Sequence, residues 1–538
     1  MSKQRTTLFF SLVALAACFL VPLLIGQANF ASRDKTPTSA TSAPRPAKVS
    51  ASTDSLSKQP ADVALAQEID RVIDASDLTR TRWGIFVMSM KDRRVLCSRN
   101  GDKLFTPASN MKIYTTAAAL DLLGADYRWR TSVYTDKQPD SGGVIDGNVT
   151  LFGRGAPDLD SSDKRGLASL ADQLYQHGVR HVRGNIVGDE SYFRGELYGL
   201  GWQWNDLQWY FGAEPSALTV DENSIELTIA PANKVGSAAT LTLSRETNHL
   251  HLTNNTSTVE RDATTTIGIN RGLSDFELRV WGDFPVGGRP FTANLSVPNP
   301  ALWAATLFKR ALIARGIKVD GEARGRDFRV AASEKFDPQK AIEIAQENSA
   351  ELNEIVRHTN KESDNLYAEL ILRTLGKERG GSAPDPDPRR NGERGDDEAG
   401  TAVVKSWLDR NGIATDDLAI RDGSGLSRLD LVTPEATARL LLVIAGTNSA
   451  SAFHDSLPIA GRDGTLRPRL VREAGRVFAK TGTLTYDHSL SGYATSQNGE
   501  VLAFSIFCND ATGHSNPVRV IDQIAGLLVQ SSSAYTAK

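Results

Sequence analysis

Apolar and polar positions divide this chain into two kinds of territory. Near the start, residues 83–90 and 94–98 are short runs rich in Ile, Phe, Val, Met and Leu, which predict two strands. Pro107 opens a stretch in which Ile113, Ala117, Leu120 and Leu123 recur at helical spacing before Gly124, so a helix is expected there. Leu352, Ile355 and Val356 carry helical spacing too, and a further helical run over 366–375 is expected to stop at Gly376. Residues 477–484, 492–495 and 501–508 read as strands, followed by a helix over 517–528. A sheet built from both chain ends, with helices between, makes the middle of the chain an insertion. From about residue 127 to about 336 the pattern changes to short strands, glycine turns and a few helices. Within it, His177-Gly178-Val179 before Gly184 and Arg315-Gly316-Ile317 before Gly321 hint at a repeated helix–turn–strand unit.

Three short clusters on this framework carry chemistry: Ser109-Asn110-Met111-Lys112, Ser363-Asp364-Asn365 and Lys480-Thr481-Gly482-Thr483. Each alone is commonplace in a chain this long; their joint order and local structure are not. A serine hydroxyl is a weak nucleophile and needs an adjacent base. Ser109 and Lys112 are three apart, which on a helix puts both on one face. A lysine serves as base only when its ammonium is destabilised, by burial or by a neighbouring cation. Ser363 and Asn365 fall on a helix-to-helix connection, where a hydroxyl can relay a proton and an amide can hold substrate. Gly482, inside a strand, marks close approach of another backbone. An edge strand there would take an extended peptide by strand addition, with Lys480 offering positive charge to a substrate carboxylate.

The N-terminus changes the picture of where such a site works. Lys3 and Arg5 precede an apolar run over 8–25, and Ala28 and Ala31 follow before Arg33. This reads as a cleaved secretory signal or a retained single-span anchor, with lipidation at Cys18 a weaker alternative. Residues 31–60, rich in Ser, Thr, Ala, Pro and Lys, read as a disordered tether. Beyond Cys18 only Cys97 and Cys508 remain; an oxidising compartment would allow them to pair, but both read rather as buried, unpaired thiols on strands. A net charge of -3 provides no basic field for nucleic acid, and no phosphate-binding glycine loop appears. No cofactor and no metal ion is expected.

Together the motifs resemble the D-Ala-D-Ala carboxypeptidase/endopeptidases, the low-molecular-mass class C penicillin-binding proteins, from about residue 65 to about 528. Supporting stretches are Gly201-Trp202-Gln203-Trp204-Asn205-Asp206-Leu207, Asp422-Gly423-Ser424-Gly425-Leu426-Ser427-Arg428, Leu457-Pro458 with Gly461 and Gly464-Thr465-Leu466, and Ser489-Leu490-Ser491-Gly492-Tyr493. The resemblance implies an α/β transpeptidase domain of the penicillin-binding and β-lactamase type, an antiparallel sheet with helices on both faces, carrying large β-rich inserted domains. Its parts would be a signal or anchor (1–31), a disordered linker (32–62), a discontinuous catalytic domain (63–126 and 337–538) and accessory insertion (127–336). It implies Ser109 as nucleophile, Lys112 as acylation base, Ser363 as proton relay and Asn365 as amide binder. Lys480 and Thr481 would hold the substrate's terminal carboxylate. Thr481, Gly482 and Thr483 would line the substrate strand, with the N–H groups of Ser109 and Thr483 as oxyanion hole. Peptidoglycan stem peptides are the implied substrates, β-lactams the implied inhibitors, and the periplasm or outer face of the cytoplasmic membrane the implied location.

Two departures stand out. Where the family shows Gly-x-Gly-Asp-Pro-x-Leu, this chain reads Gly153-Arg154-Gly155-Ala156-Pro157-Asp158-Leu159, so the acidic contact to the stem peptide's third side chain is expected to be absent or moved to Asp158. Residues 377–400 read as a long disordered loop. Other features take structural readings. His177 and His181 are not a metal pair, and Trp202, Trp204, Trp209 and Tyr210 are expected to pack as core beneath a loop. Asp422 and Ser424 are expected to shape a turn near the active domain, and Asp487 and His488 are turn residues. The rivals are a β-lactamase, for which no deacylating carboxylate is identifiable, and a silent wall-binding protein, against which the intact five-residue set speaks.

Overall fold

The computed structural model describes residues 55–531 apart from 162–165, 246, 248, 274, 335, 384–393 and 513–515. The expected signal or anchor, Cys18 and most of the expected linker therefore lie outside the described residues. The linker's end differs from expectation. A helix begins at Pro60, whose missing N–H suits the first turn, and runs to Asp74, with Asp62 buried in an ion pair to Arg94 at 2.8 Å. No described helix is long and apolar enough to cross a membrane.

The sheet expected from both chain ends forms. Its five strands run in the order Val477–Leu484, Asp487–Thr495, Val501–Asn509, Arg82–Ser89 and Val95–Arg99, every neighbour antiparallel. Alternation gives it two buried faces. Ile85, Val87, Phe504 and Ile506 pack with Leu65, Ile69, Ile521 and Ile524, burying the faces of helices Pro60–Asp74 and Pro517–Gln530. Phe86, Met88, Ala503 and Phe507 point the other way, into a core with Ile113, Tyr114, Leu440 and Leu441 from helices Met111–Leu123 and Pro434–Ile444. At roughly 25 cal/mol per Å² of apolar surface, these two cores fix the strand that carries Lys480 against the helix that carries Lys112.

A second five-stranded sheet runs Ala323–Arg326, Ile186–Asp189, Val149–Phe152, Arg130–Thr135 and Ile342–Asn348. The strand Ile342–Asn348, expected on the catalytic side of a boundary at residue 337, instead pairs antiparallel with Arg130–Thr135. Ile344 and Ala345 are drawn there by a different apolar core, shared with Val133 and Leu151. The hinted repeat is visible as geometry. Helices Leu167–Gln176 and Pro300–Ala314 are each followed by a left-handed glycine, Gly178 (φ 85°) and Gly316 (φ 83°). The two-residue strands Lys318–Val319 and His181–Val182, and the longer Ala323–Arg326 and Ile186–Asp189, then pair in parallel.

Of the expected loop over 377–400, residues 384–393 lie outside the described residues, and helices reach into both of its ends. Helix Asn365–Arg379 runs through Gly376, and helix Asp396–Arg410 starts early. Gly376 is not a stop: a Cβ there would lie 1.9 Å from the Asp396 carbonyl oxygen, so the absent side chain lets the two helices meet. Cys97 and Cys508 are buried and unpaired, as expected, and burial pushes both thiols up to about 12.

Candidate active site

Ser109 stands in a short 3-10 turn, Ala108–Asn110, that runs directly into helix Met111–Leu123. Ala108 sits in the left-handed region (φ 49°), and Gly425 (φ 81°) makes room for it, since a Cβ on Gly425 would lie 1.8 Å from the Ala108 carbonyl oxygen. One turn on, Lys112 is completely buried, its Nζ 3.1 Å from Ser109 Oγ. The same Nζ donates to Asn365 Oδ1 at 2.6 Å and to the Ser424 carbonyl at 2.8 Å. Burial drives the Lys112 ammonium down to about 8, against the pull of Asp422, Asp364 and Glu369.

Ser363 is also left-handed (φ 62°), which turns the chain sharply between helices Leu352–Lys361 and Asn365–Arg379. Its Oγ accepts from Lys480 Nζ at 2.8 Å. Lys480 is completely buried, donates as well to the Thr481 carbonyl, and is held well below the usual ammonium range by burial and by Lys112. Val477–Leu484 is an edge strand, and Gly482 is what lets it approach the Ser109 turn. A Cβ there would lie 2.1 Å from Ser489 Oγ, 2.8 Å from the Pro107 carbonyl and 3.0 Å from Ser109 N. Asn110 Nδ2, donating to the Lys480 carbonyl at 3.0 Å, and Ser489 Oγ, donating to the Pro107 carbonyl at 2.7 Å, close the junction. Ser109, Lys112, Ser363, Asn365 and Lys480 are thus joined by short contacts, with Thr481 buried and Thr483 exposed beside them.

Several participants carry no signal in the sequence. Asn365 Nδ2 donates to the Phe211 carbonyl at 2.9 Å, a backbone atom that no motif reports. Beneath the Ser424 turn lie three buried acids. Glu369 Oε1 accepts from the N–H groups of Gly423 and Ser424, both at 2.9 Å, and Asp422 from those of Gly425 and Ser427. Burial holds Glu369 up to about 8 and Asp430 well above the carboxylate range, each with Asp422 next in line. The run of Asp, Gly and Ser at 422–427 was the available clue.

The tryptophan cluster departs from the core reading. Trp202 Nε1 donates to Asp422 Oδ2 at 2.8 Å, whereas Trp204 is 70% exposed and Tyr210 51% exposed. Trp209 alone follows the core reading, partly buried against the apolar core that holds Leu295 and Trp303. Ala156 is only 4% exposed and lies with Arg128, Asp158 and Glu347 on a cavity of about 490 Å³. Asp158 Oδ2 accepts from the Ala350 N–H at 2.8 Å. Asp487 and His488 open a strand and do not pair: Asp487 accepts from Arg428 at 3.1 Å, and His488 Nδ1 has no partner.

Comparison with known proteins gives a consistent answer. The family described as the D-Ala-D-Ala carboxypeptidase 3 (S13) family matches residues 65–531. A D-alanyl-D-alanine carboxypeptidase from an Actinomadura species is 34% identical over 481 residues, 87% of this chain and 84% of that protein. The D-alanyl-D-alanine carboxypeptidase DacB of Haemophilus influenzae is 27% identical over 453 residues, 81% of this chain and 88% of its own. The crystal structure of penicillin binding protein 4 (dacB) from Haemophilus influenzae superposes with a TM-score of 0.73 at 25% identity, covering 85% of this chain and 97% of that one. The fold is that of the penicillin-binding enzymes, and the chain belongs to the D-Ala-D-Ala carboxypeptidase 3 (S13) family.

Proposed function

We infer that this carboxypeptidase cleaves D-Ala-containing stem peptides of peptidoglycan, as DD-carboxypeptidase and DD-endopeptidase, through an acyl-enzyme on Ser109. The observation that carries this reading is the environment of Lys112 Nζ. Two of its contacts, to Asn365 Oδ1 and the Ser424 carbonyl, require N–H donors. In the neutral amine those use both hydrogens, and the lone pair is left for the Ser109 hydroxyl 3.1 Å away. Ser109 Oγ attacks the carbonyl carbon of the penultimate D-Ala while its proton passes to Lys112. Negative charge develops on the carbonyl oxygen, facing the N–H groups of Ser109 and Thr483, a hole worth about 3 kcal/mol per donor. Ser363, bonded to Lys480, passes a proton to the departing amine. Asn365 binds the substrate amide, and Thr481 with the field of Lys480 receives the terminal carboxylate. Water then hydrolyses the ester; β-lactams stall there. Release of D-Ala from a synthetic stem peptide tests the reading, and wild-type protein that releases none refutes it.

The catalytic parts are, in this reading, 63–126 and the chain after the strand ending at Asn348, with an accessory insertion between. Export through the N-terminal segment, to the periplasm or the outer face of the cytoplasmic membrane, completes it.

Two further results are expected. Asp422 is the largest charge holding Lys112 up, so Asp422→Asn lowers the Lys112 pKa below about 8. The acid limb of the penicillin-acylation pH profile then moves to lower pH; a move to higher pH contradicts the assignment of Lys112 as base. Asp158 is the nearest acidic replacement for the family's missing aspartate, and an exposed ion pair is worth about 0–1 kcal/mol. Asp158→Asn should therefore lower kcat/KM up to about 5-fold for peptides with a free amino group at the third residue, and leave small β-lactams unaffected. Equal losses for both would assign the effect to folding.

A further inference from the structure

We propose that Glu222, His358 and Asp364 form a Zn2+ site that joins the segment around residue 222 to the Ser363–Asn365 connection. His358 Nε2 lies 3.6 Å from Asp364 Oδ2 and 3.9 Å from Glu222 Oε1, and the three ligand atoms fall within 4.8 Å of one another. Among the described residues no other group of three His, Cys, Asp or Glu side chains is so placed. Zinc bonds of about 2.0–2.2 Å to nitrogen and oxygen need only small side-chain rotations from this arrangement.

Each ligand is held by contacts that leave its donor atom turned to the others. Asp364 spends Oδ1 on the Tyr367 N–H at 3.0 Å, capping helix Asn365–Arg379, so Oδ2 faces the cluster. The His358 ring rests on the Tyr367 ring, centroids 4.5 Å apart. Glu222 sits in a left-handed run, Asp221, Glu222 and Asn223 at φ 51°, 54° and 47°. That run is fixed by Asn223, which donates to the Glu214 carbonyl at 3.0 Å and accepts from the Val220 N–H at 3.2 Å. Asp221 anchors its other side on Ser161 and Arg245, both at 2.7 Å.

The donor set selects the metal. One imidazole with two carboxylates suits Zn2+ and its first-row neighbours, while Mg2+ and Ca2+ take all-oxygen shells. Two carboxylate charges balance the ion, and a half-buried site leaves a fourth position for water. Asp364 lies between Ser363 and Asn365, so an ion there stiffens the connection that carries both side chains. Glu222 and His358 have no part in the reaction derived above, Asp364 bears on it only as one of the charges near Lys112, and the site goes beyond that reading.

The test uses the full, untagged chain, stripped with chelator and titrated with Zn2+, with Co2+ as a spectroscopic probe. We expect one Zn2+ retained per chain by elemental analysis, the intense visible absorption of low-coordinate Co2+, and a thermal midpoint raised by about 2–5 °C at saturation. His358→Ala and Glu222→Gln should each weaken binding at least about 10-fold, with penicillin acylation in metal-free buffer within about 2-fold of wild type. Absence of uptake by the wild type overturns the proposal and leaves His358 as a hydrogen-bonding side chain between two carboxylates. Undiminished uptake in either variant places the ion elsewhere and overturns it equally.

Discussion

Ser109→Ala should abolish the covalent penicillin adduct and lower kcat for D-Ala release by about 10³- to 10⁶-fold, the range seen when a nucleophile acting with its base is removed. The loss is that large because the alternatives are absent from the geometry. Lys112 and Lys480 are fully buried and each already bonded to a serine hydroxyl, and Ser363 is tied to Lys480 at 2.8 Å. Ser109 is half-buried, so loss of its hydroxyl costs stability of order 1 kcal/mol at most. Intact-mass measurement of wild type and variant after incubation with penicillin separates the outcomes. An adduct that persists in the alanine variant, or maps to another residue in wild type, defeats the assignment of the nucleophile.

Lys112→Met should lower acylation by about 10³- to 10⁵-fold, and it carries a pH signature that Ser109→Ala does not. The active form is the neutral amine, and burial places its pKa at about 8. Below that pH the ammonium has no lone pair, so wild-type acylation should rise about tenfold per pH unit and level off above about 8. Methionine matches the stem in length, but leaves Asn365 Oδ1 and the Ser424 carbonyl without their donor, a cost of about 1–3 kcal/mol each. Residual acylation in the variant should not show the limb near pH 8. A limb unchanged from wild type would mean that another group supplies the base.

The pH behaviour also shows why two buried lysines coexist here. Lys480 is depressed by burial first and by Lys112 second, so the two cations resist being charged together. A charge on Lys112 therefore disfavours a charge on Lys480, after the burial that acts on both.

Local pattern made several elements legible. The apolar runs over 83–90, 477–484 and 501–508, and the helical spacing after Pro107, lie close to the elements that form, because a strand buried on both faces reads as a short continuous apolar run and a helix shows its period in a short window. Gly482 was read as a close-approach glycine, which it is. Gly376 was misread, because a glycine that admits a neighbouring helix and one that ends a helix look alike without the neighbour. The strand Ile342–Asn348 is not among the elements expected from the pattern, and its pairing with Arg130–Thr135 is fixed by a partner about 210 positions away. Trp204 looked like core by residue type, and only its lack of a covering element leaves it in water.

What the sequence determined by itself was that Ser109 and Lys112 meet. Ser109 and Lys112 sit three apart on one chain segment, and helix geometry alone brings a hydroxyl and an amine to one face. Whether that amine is a base was decided only in three dimensions. Its other two partners, Asn365 and Ser424, lie 253 and 312 positions away, and its desolvation comes from a core assembled out of both chain ends. A side chain's protonation depends on every charge and every water within a few ångströms, and that neighbourhood is a property of packing, not of sequence spacing.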